Sequence, residues 1–200
     1  MSKILDLYSE LLSQKHRFID EIFEAEIYGE ACPKLTIVDL GAYEGEFSFY
    51  CYNFAKVIYA VEPDPQPYAI LADHIKRFEL DKIKAFNLAI AGESGKRFLQ
   101  ASHAGGSTLK NSLENPDIDI PVEALSLPDF FEQNGIKKVD ILKIDVESAE
   151  YDIFESEGFS KVAKNIKTIV GEDHRGGLSD ILKSHGFKFK FLPNCFIAKR

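Results

Sequence analysis

Acidic side chains stand at or near the carboxyl ends of several β-branched runs in this 200-residue sequence. The residues concerned are Asp39, Glu62, Asp145, Glu147 and Glu172, with His174 shortly after the last of them. Carboxylates and an imidazole can accept hydrogen bonds, bind a cation or move a proton. Ligands of open α/β sheets bind outside the carboxyl ends of the strands, so these residues are candidates for one binding or catalytic site.

The first loop of this kind reads Asp39-Leu40-Gly41-Ala42-Tyr43-Glu44-Gly45. Gly41 allows a tight turn close to a ligand, and Gly45 allows close packing where the next helix begins. A dinucleotide fingerprint would carry a glycine at the position of Tyr43, so a diphosphate guest is disfavoured there. A cationic guest fits the acidic loop better. S-adenosylmethionine supplies a sulfonium and an amino group that Asp39 could reach directly or through water.

Glu62 ends the second run and is followed by Pro63. An acid at this position can accept hydrogen bonds from both ribose hydroxyls of an adenosine ligand that lacks a 2′-phosphate. The third run ends in small and apolar residues, Ala89 among them, which could flank an adenine ring. The two strand ends together predict an adenosine site.

Lys143 and Asp145 lie two residues apart in the fourth run and therefore point to the same face of a strand. Burying a charged lysine without a partner is costly, which predicts a carboxylate close to Lys143. Asp145, Glu147, Glu172 and His174 could then converge on one pocket.

Three interpretations of this cluster are open. His174 could act as a general base toward a hydroxyl nucleophile, since its ordinary pKa suits that task. The acids and His174 could instead hold a divalent metal that orients and acidifies the hydroxyl. They could also form a structural salt-bridge network with Lys143 and Arg175.

The runs that carry these residues alternate with helical patterns, which predicts an α/β fold with a doubly wound, mostly parallel sheet. The predicted strands are residues 35–40, 56–61, 83–89, 139–146 and 166–171. The predicted helices are residues 45–55, 66–78, 149–157 and 178–185, with a further helix capped by Ser126. Two final strands, 186–192 and 195–199, are close enough in sequence to form an antiparallel hairpin.

Two segments depart from the alternation. Residues 3–28 have helical spacing, so residues 1–34 are predicted to be an N-terminal helical extension that could form a lid or an oligomer contact. Residues 92–126 are predicted to be an insertion within a single domain at 35–200, with strands at 96–101 and 121–125 and a surface loop at 102–116. Gly105-Gly106-Ser107-Thr108 in that loop is expected to border an acceptor pocket.

Composition limits the class of protein. Hydrophobic residues make up 45% of the chain, which excludes a disordered protein. The net charge of −8 argues against a nucleic-acid or anionic-membrane partner. No apolar run reaches the roughly 18 residues that span a membrane, and no signal peptide is evident. The three cysteines are scattered without a CxxC pair, so we expect reduced thiols, Cys51 among them buried, in a cytoplasmic protein.

Several of these stretches, in this order, resemble the FkbM family of S-adenosylmethionine-dependent methyltransferases. They are residues 38–42 with Gly45 and Ser48, residues 60–65, residues 140–150, residues 171–174, and Leu182 with Gly186-Phe187. The stretch Asp140–Glu150 looks most like a family signature. The chain departs from the family pattern at Tyr43, Pro128 and Ser148, and the N-terminal helix shows no clear match.

The resemblance implies a class I methyltransferase (Rossmann-like) fold and methyl transfer, usually to a hydroxyl of a sugar or natural product. We expect S-adenosylmethionine as cofactor, a small-molecule or glycan acceptor, and no assigned metal ligand. The alternatives are an N-methyltransferase and a catalytically silent domain that binds the cofactor or a partner. The predicted cofactor-binding residues are Asp39, Gly41, Ala42, Tyr43, Gly45, Glu62, Pro63, Ala89 and Asp145. The predicted catalytic residues are Asp145, Glu147, His174, Glu172 and Lys143.

Overall fold

The structure is a computed structural model that describes residues 34–101, 107–112, 114–115, 119–147, 149–192 and 195–200. The predicted N-terminal helix, with its lid or oligomer role, lies outside the described residues. So do Cys32, Gly105, Gly106, Ser148 and most of the turn that joins the last two strands.

The described residues form eleven strands and six α-helices. The strands are β1 (Leu35–Leu40), β2 (Ala55–Val61), β3 (Ile83–Phe86), β4 (Ala89–Ala91), β5 (Gly95–Ala101), β6 (Ser107–Lys110), β7 (Asp119–Ser126), β8 (Val139–Ile144), β9 (Ile166–Gly171), β10 (Lys188–Phe191) and β11 (Phe196–Lys199). The helices are α1 (Glu46–Cys51), α2 (Pro65–Arg77), α3 (Leu127–Gln133), α4 (Glu150–Glu155), α5 (Glu157–Val162) and α6 (Leu178–Ser184), and a short 3-10 helix spans Ala163–Asn165.

The main sheet has seven strands in the order β10-β11-β9-β8-β1-β2-β3. The five strands from β9 to β3 run parallel, and β11 is antiparallel to both of its neighbours. This confirms the doubly wound fold and the C-terminal antiparallel hairpin. The central strands are buried on both faces, as their continuous apolar runs predict, and Ile37, Val38 and Leu142 are fully buried.

A second sheet of four strands, in the order β4-β7-β5-β6, is built mainly from the insertion. Two predictions were wrong here. The third run is not one strand, because β3 ends at Phe86 and β4 joins β7 in the second sheet. Asn87 between them donates to the carbonyls of Glu62 and Pro63. The loop expected at 102–116 contains β6, which pairs with β5, since strand pairing at long range overrides local composition.

The helices hold the ends of the strands in place. The side chain of Asp64 caps α2 by accepting the backbone N–H of Gln66. Ser126 caps α3, as the sequence predicts, by accepting the backbone N–H of Asp129. The predicted helix at 45–55 ends at Cys51, which is buried as expected, and the one at 149–157 is divided into α4 and α5. Strand β8 ends at Ile144, so Asp145 begins a loop. Among the described helices, none has the length and apolar character needed to cross a membrane.

Candidate active site

A cavity of about 320 Å³ opens at the carboxyl ends of β1, β2 and β8 and reaches the second sheet. Its volume lies within the usual range of small-molecule sites, about 300–1,000 Å³. Its wall includes seven of the predicted site residues: Gly41, Tyr43, Glu62, Pro63, Ala89, Asp145 and Glu147. Six others lie outside the cavity wall: Asp39, Ala42, Gly45, Lys143, Glu172 and His174.

Gly41 is required where the end of β1 passes close to the end of β8. Its φ is +73°, and a Cβ at this position would lie 1.8 Å from the carbonyl oxygen of Asp145. The backbone N–H groups of Gly41 and Ala42 both donate to the carbonyl of Val61 at the end of β2. The loop therefore joins three strand ends into the floor of the cavity. Gly45 has the packing role predicted for it, since a Cβ there would meet Phe49 at 2.5 Å.

Glu62 is almost fully buried at the end of β2, with its carboxylate fixed by backbone donors. One oxygen accepts the N–H of Tyr43 and the other accepts the N–H of Asp64, both at 2.8 Å. Burial raises the pKa of Glu62 to about 7, although these N–H groups and the nearby Lys143 act in the opposite direction. A carboxylate has room for further donors, so Glu62 could still accept hydroxyls of a ligand in the cavity.

Asp39 and Lys143 face each other across β1 and β8, beneath the floor of the cavity. The ammonium of Lys143 lies 3.4 Å from Asp39 Oδ1 and 3.8 Å from Asp145 Oδ2, and it donates to the carbonyl of Gly41 at 2.6 Å. The other oxygen of Asp39 accepts the hydroxyl of Ser48 at 2.6 Å. Burial opposes the charge on Lys143, but Asp39 and Asp145 outweigh it, so the pKa of Lys143 is raised. The carboxylate predicted beside Lys143 is thus present.

His174 lies among four carboxylates at the ends of β8 and β9. Its Nδ1 is 2.9 Å from Oε1 of Glu150, which is fully buried and also accepts the N–H of Val146. Its Nε2 faces Glu172 at 3.5 Å, Asp145 at 3.7 Å and Glu147 at 3.8 Å. The structure therefore brings together the four residues that the sequence predicts to converge.

The hydrogen bond that His174 donates to Glu150, with the charges of Asp145 and Glu147, raises the pKa of His174 to about 9 although burial opposes the shift. His174 is therefore an imidazolium at neutral pH in the absence of a ligand. Of the three interpretations, the salt-bridge network describes this state, although Arg175 packs over the ring of Tyr151 instead of joining it. As a base, His174 must first lose its proton. One ligand atom each from Asp145, Glu147 and His174 lie within 4.8 Å of one another, a spacing that a divalent ion could bridge.

Sequence reasoning missed two contributions to this site. The sequence assigns no role to Glu150, and the signal that could have found it is its place at the end of the Asp140–Glu150 stretch. Leu99 and Leu109, from β5 and β6, line the cavity beside Ser107. Ser107 lies within the loop expected to border the pocket, and its hydroxyl donates to Asp64 at 3.2 Å. No local signal places β6 here, because its position depends on pairing with β5.

The fold and the cavity together define a Rossmann-like protein with the strand order of class I methyltransferases and a site suited to a nucleoside ligand. Within that class the chain belongs to the FkbM methyltransferase family: the family model described as "Methyltransferase FkbM domain" matches residues 39–195.

Known proteins similar to this chain agree with that assignment. The 2-O-methyltransferase NoeI of Sinorhizobium fredii is 25% identical over 139 residues, which cover 60% of this chain and 56% of NoeI. The solved structure of Methyltransferase FkbM from Methylobacillus flagellatus has a TM-score of 0.65 at 12% identity, covering 99% of this chain and 53% of that one. The chain thus spans about half the length of these two relatives.

A third similar structure is M. capricolum TrmK in complex with S-adenosylhomocysteine. It has a TM-score of 0.52 at 14% identity and covers 92% of this chain and 66% of that chain. At these identities the solved structures support the fold alone.

Proposed function

We propose that this protein transfers the methyl group of S-adenosylmethionine to a hydroxyl of a sugar or small natural product. The observation that carries the proposal is one continuous cavity, with Glu62 at one end and Asp145 and Glu147 at the other. In this proposal Glu62 accepts the ribose hydroxyls, and the acids at the far end suit a sulfonium. Membership of the FkbM family supports this cofactor, and TrmK, which shares the fold, has a structure in complex with S-adenosylhomocysteine.

The reaction is a displacement in which the new C–O bond forms as the C–S⁺ bond breaks. The sulfonium becomes the neutral thioether of S-adenosylhomocysteine, and the hydroxyl proton must leave. Because the methyl carbon is already electrophilic, the main tasks of the protein are to align the acceptor and to exclude water. Asp145 and Glu147 can accept hydrogen bonds from acceptor hydroxyls, and their places in the cavity wall support that role.

His174 is the proposed acceptor of the hydroxyl proton. It lies 3.7 Å from Asp145 and 3.8 Å from Glu147, close to the proposed acceptor end. In the ligand-free protein the acids hold it protonated, and the pKa is about 9. A bound sulfonium would place a positive charge beside these acids and lower that pKa. At saturating cofactor we therefore expect kcat to rise with pH through a midpoint below pH 9, and His174→Asn to remove this rise.

O-methylation is favoured by the name of the similar NoeI, a 2-O-methyltransferase. The second candidate is N-methylation, which the surplus of acids around His174 favours because carboxylates attract an ammonium group. An amine acceptor must be deprotonated before it can attack, so its pH dependence would follow the pKa of the amine. The identity of the methylated atom separates the two.

The first experiment measures thermal unfolding with S-adenosylmethionine, S-adenosylhomocysteine or NAD, since a ligand that binds the folded state raises the midpoint. We expect both S-adenosyl compounds to stabilise the protein and NAD to have no effect. Stabilisation by NAD alone would contradict the proposal.

The second experiment incubates the protein with methyl-labelled cofactor and a panel of sugar, polyol and amine acceptors. Mass spectrometry then locates the label on oxygen or nitrogen. Glu147→Gln should lower turnover, and Glu132→Gln, an exposed residue of α3, is the matched control. Cofactor binding without transfer to any acceptor in the panel would favour the silent cofactor-binding alternative.

A further inference from the structure

Lys143 is a buried cation in the central strand β8, directly beneath the cavity. It is 4% exposed, and its register partner on β1 is Asp39, which is fully buried. A buried ammonium is costly unless its charge and its protons are matched. The sequence predicts a catalytic role for Lys143, and its contacts show which groups it can act on.

The ammonium of Lys143 contacts both strand ends that form the floor of the cavity. On the β1 side it donates to the carbonyl of Gly41 at 2.6 Å and lies 3.4 Å from Asp39 Oδ1. On the β8 side it lies 3.8 Å from Asp145 Oδ2. Gly41 and Asp145 are both part of the cavity wall, whereas Lys143 is not. Lys143 therefore touches the groups that face a ligand without facing the ligand itself.

The N–H of Gly41 is held by the carbonyl of Val61 on β2, whereas its carbonyl is held by Lys143. The positive φ of Gly41 and its close approach to Asp145 leave no space for a side chain at this position. The hydrogen bond from a charged donor below fixes the direction of the Gly41 carbonyl, and such bonds are among the stronger ones in proteins. Asp39 in turn fixes Lys143, and Ser48 of α1 fixes Asp39.

We propose that Lys143 is a positioning residue that holds the Gly41 carbonyl and the Asp145 carboxylate in the geometry that receives the amino-acid end of the cofactor. The inference rests on the proposed function, because it concerns the same cavity. It replaces the catalytic role predicted for Lys143 with an indirect one. Loss of Lys143 should therefore weaken binding of the amino-acid end of the cofactor more than binding of the nucleoside. The carboxylate of Glu62, at the nucleoside end, is held by backbone N–H groups and not by Lys143.

The test compares two ligands that share the nucleoside. S-adenosylhomocysteine carries the amino-acid end, and 5′-methylthioadenosine lacks it. The variant is Lys143→Met combined with Asp39→Asn, which removes the buried charge pair together, because Lys143→Met alone would leave Asp39 as an uncompensated buried charge. Lys56→Met, an exposed lysine on β2, is the control.

We expect the double variant to bind S-adenosylhomocysteine about tenfold more weakly, the effect of losing one hydrogen bond from a charged donor. Its affinity for 5′-methylthioadenosine should stay within about threefold of the wild type. Lys143→Gln with Asp39→Asn keeps a neutral donor near the Gly41 carbonyl and should recover part of the lost affinity. The control should bind both ligands as the wild type does.

Equal weakening for the two ligands would overturn the proposal, because it indicates general damage to the fold. Unchanged affinity for both would overturn it as well, and a large fall in kcat with unchanged affinity would return Lys143 to a catalytic role. A wild-type protein that binds neither ligand would instead refute the proposed function, so the two failures are distinguishable.

Discussion

The two ends of the cavity satisfy their charges in different ways. At the β2 end, both oxygens of Glu62 accept backbone N–H groups at 2.8 Å. At the β8–β9 end, His174 faces three carboxylates at 3.5–3.8 Å, longer than a hydrogen bond, and only its contact with Glu150 is short. The first end has a fixed geometry suited to an invariant group such as ribose. At the second end, Asp145, Glu147 and Glu172 make no short hydrogen bond to His174, so these carboxylates can bind a group that the chain does not supply.

Backbone strain occurs at both ends. Tyr43, after β1, and Glu147, after β8, are non-glycine residues in the left-handed region, each with a φ of +50°. Such conformations cost about 1–3 kcal/mol each and persist where the surrounding structure requires them. At Tyr43 the strained backbone places its N–H on Glu62, and at Glu147 it follows the close contact between Gly41 and Asp145. The strain supports the view that both strand ends are shaped for a ligand.

The largest expected effect comes from a change at Gly41, where the ends of β1 and β8 approach each other closely. In Gly41→Ala the new Cβ would meet the Asp145 carbonyl at 1.8 Å, so the ends of β1 and β8 must separate. We expect a loss of about 1–3 kcal/mol in the free energy of unfolding beyond that of a control, together with loss of cofactor binding. The control is Gly135→Ala, which has a φ of +63° but meets nothing within 4 Å. Chemical denaturation of both variants measures the difference, and equal losses would contradict the close approach.

The second largest effect is expected from a change at the β2 end of the cavity, where Glu62 lies. Glu62→Gln keeps the shape of the side chain but removes the charge and places an amide donor against a backbone N–H. We expect affinity for S-adenosylmethionine to fall about 10- to 100-fold by calorimetry, as for loss of charge-assisted hydrogen bonds. Glu132→Gln is the surface control. Unchanged affinity in Glu62→Gln would remove Glu62 from the ribose site.

The two ends should affect the free energy of unfolding over different pH ranges. The pKa of Glu62 rises from 4.5 to about 7 on folding, so its protonated form stabilises the fold at low pH, and this contribution is lost between those values. The pKa of His174 rises from 6.5 to about 9, so its contribution is present below 6.5 and lost as the pH rises through 9. The free energy of unfolding should therefore fall in two successive ranges.

Single variants assign each range. Glu62→Gln should flatten the lower range, and His174→Asn should flatten the upper one. Urea denaturation at a series of pH values, without ligand, measures both. If His174→Asn leaves the slope above pH 6.5 unchanged, the imidazolium is not the group that titrates there.

The contrast also explains how much of the site could be predicted from the sequence. The main sheet and the acids at its edge follow from apolar periodicity and strand ends, which are local signals. The burial of Asp39 beneath the floor could not be predicted, because an acid at the end of a strand can point into the cavity or below it. The position of Leu109 could not be predicted from the sequence either. It depends on the pairing of β6 with β5, and residues 102–106 separate the two strands.

The smallest expected effect concerns the second sheet, whose strands β5 and β6 contribute Leu99, Ser107 and Leu109 to the cavity wall. Ser107 of β6 donates to Asp64 Oδ2 at 3.2 Å, while the other oxygen of Asp64 caps α2. Ser107→Ala removes this one neutral-donor bond and leaves the helix cap in place, so we expect cofactor affinity to fall about two- to fivefold, near 0.5–1 kcal/mol. Thr108→Ala, the next residue of the same strand, is the control.

Because Ser107 contacts the residue two positions after Glu62, the loss should appear with 5′-methylthioadenosine as well as with S-adenosylhomocysteine. An effect confined to S-adenosylhomocysteine would place the contribution of Ser107 at the amino-acid end instead.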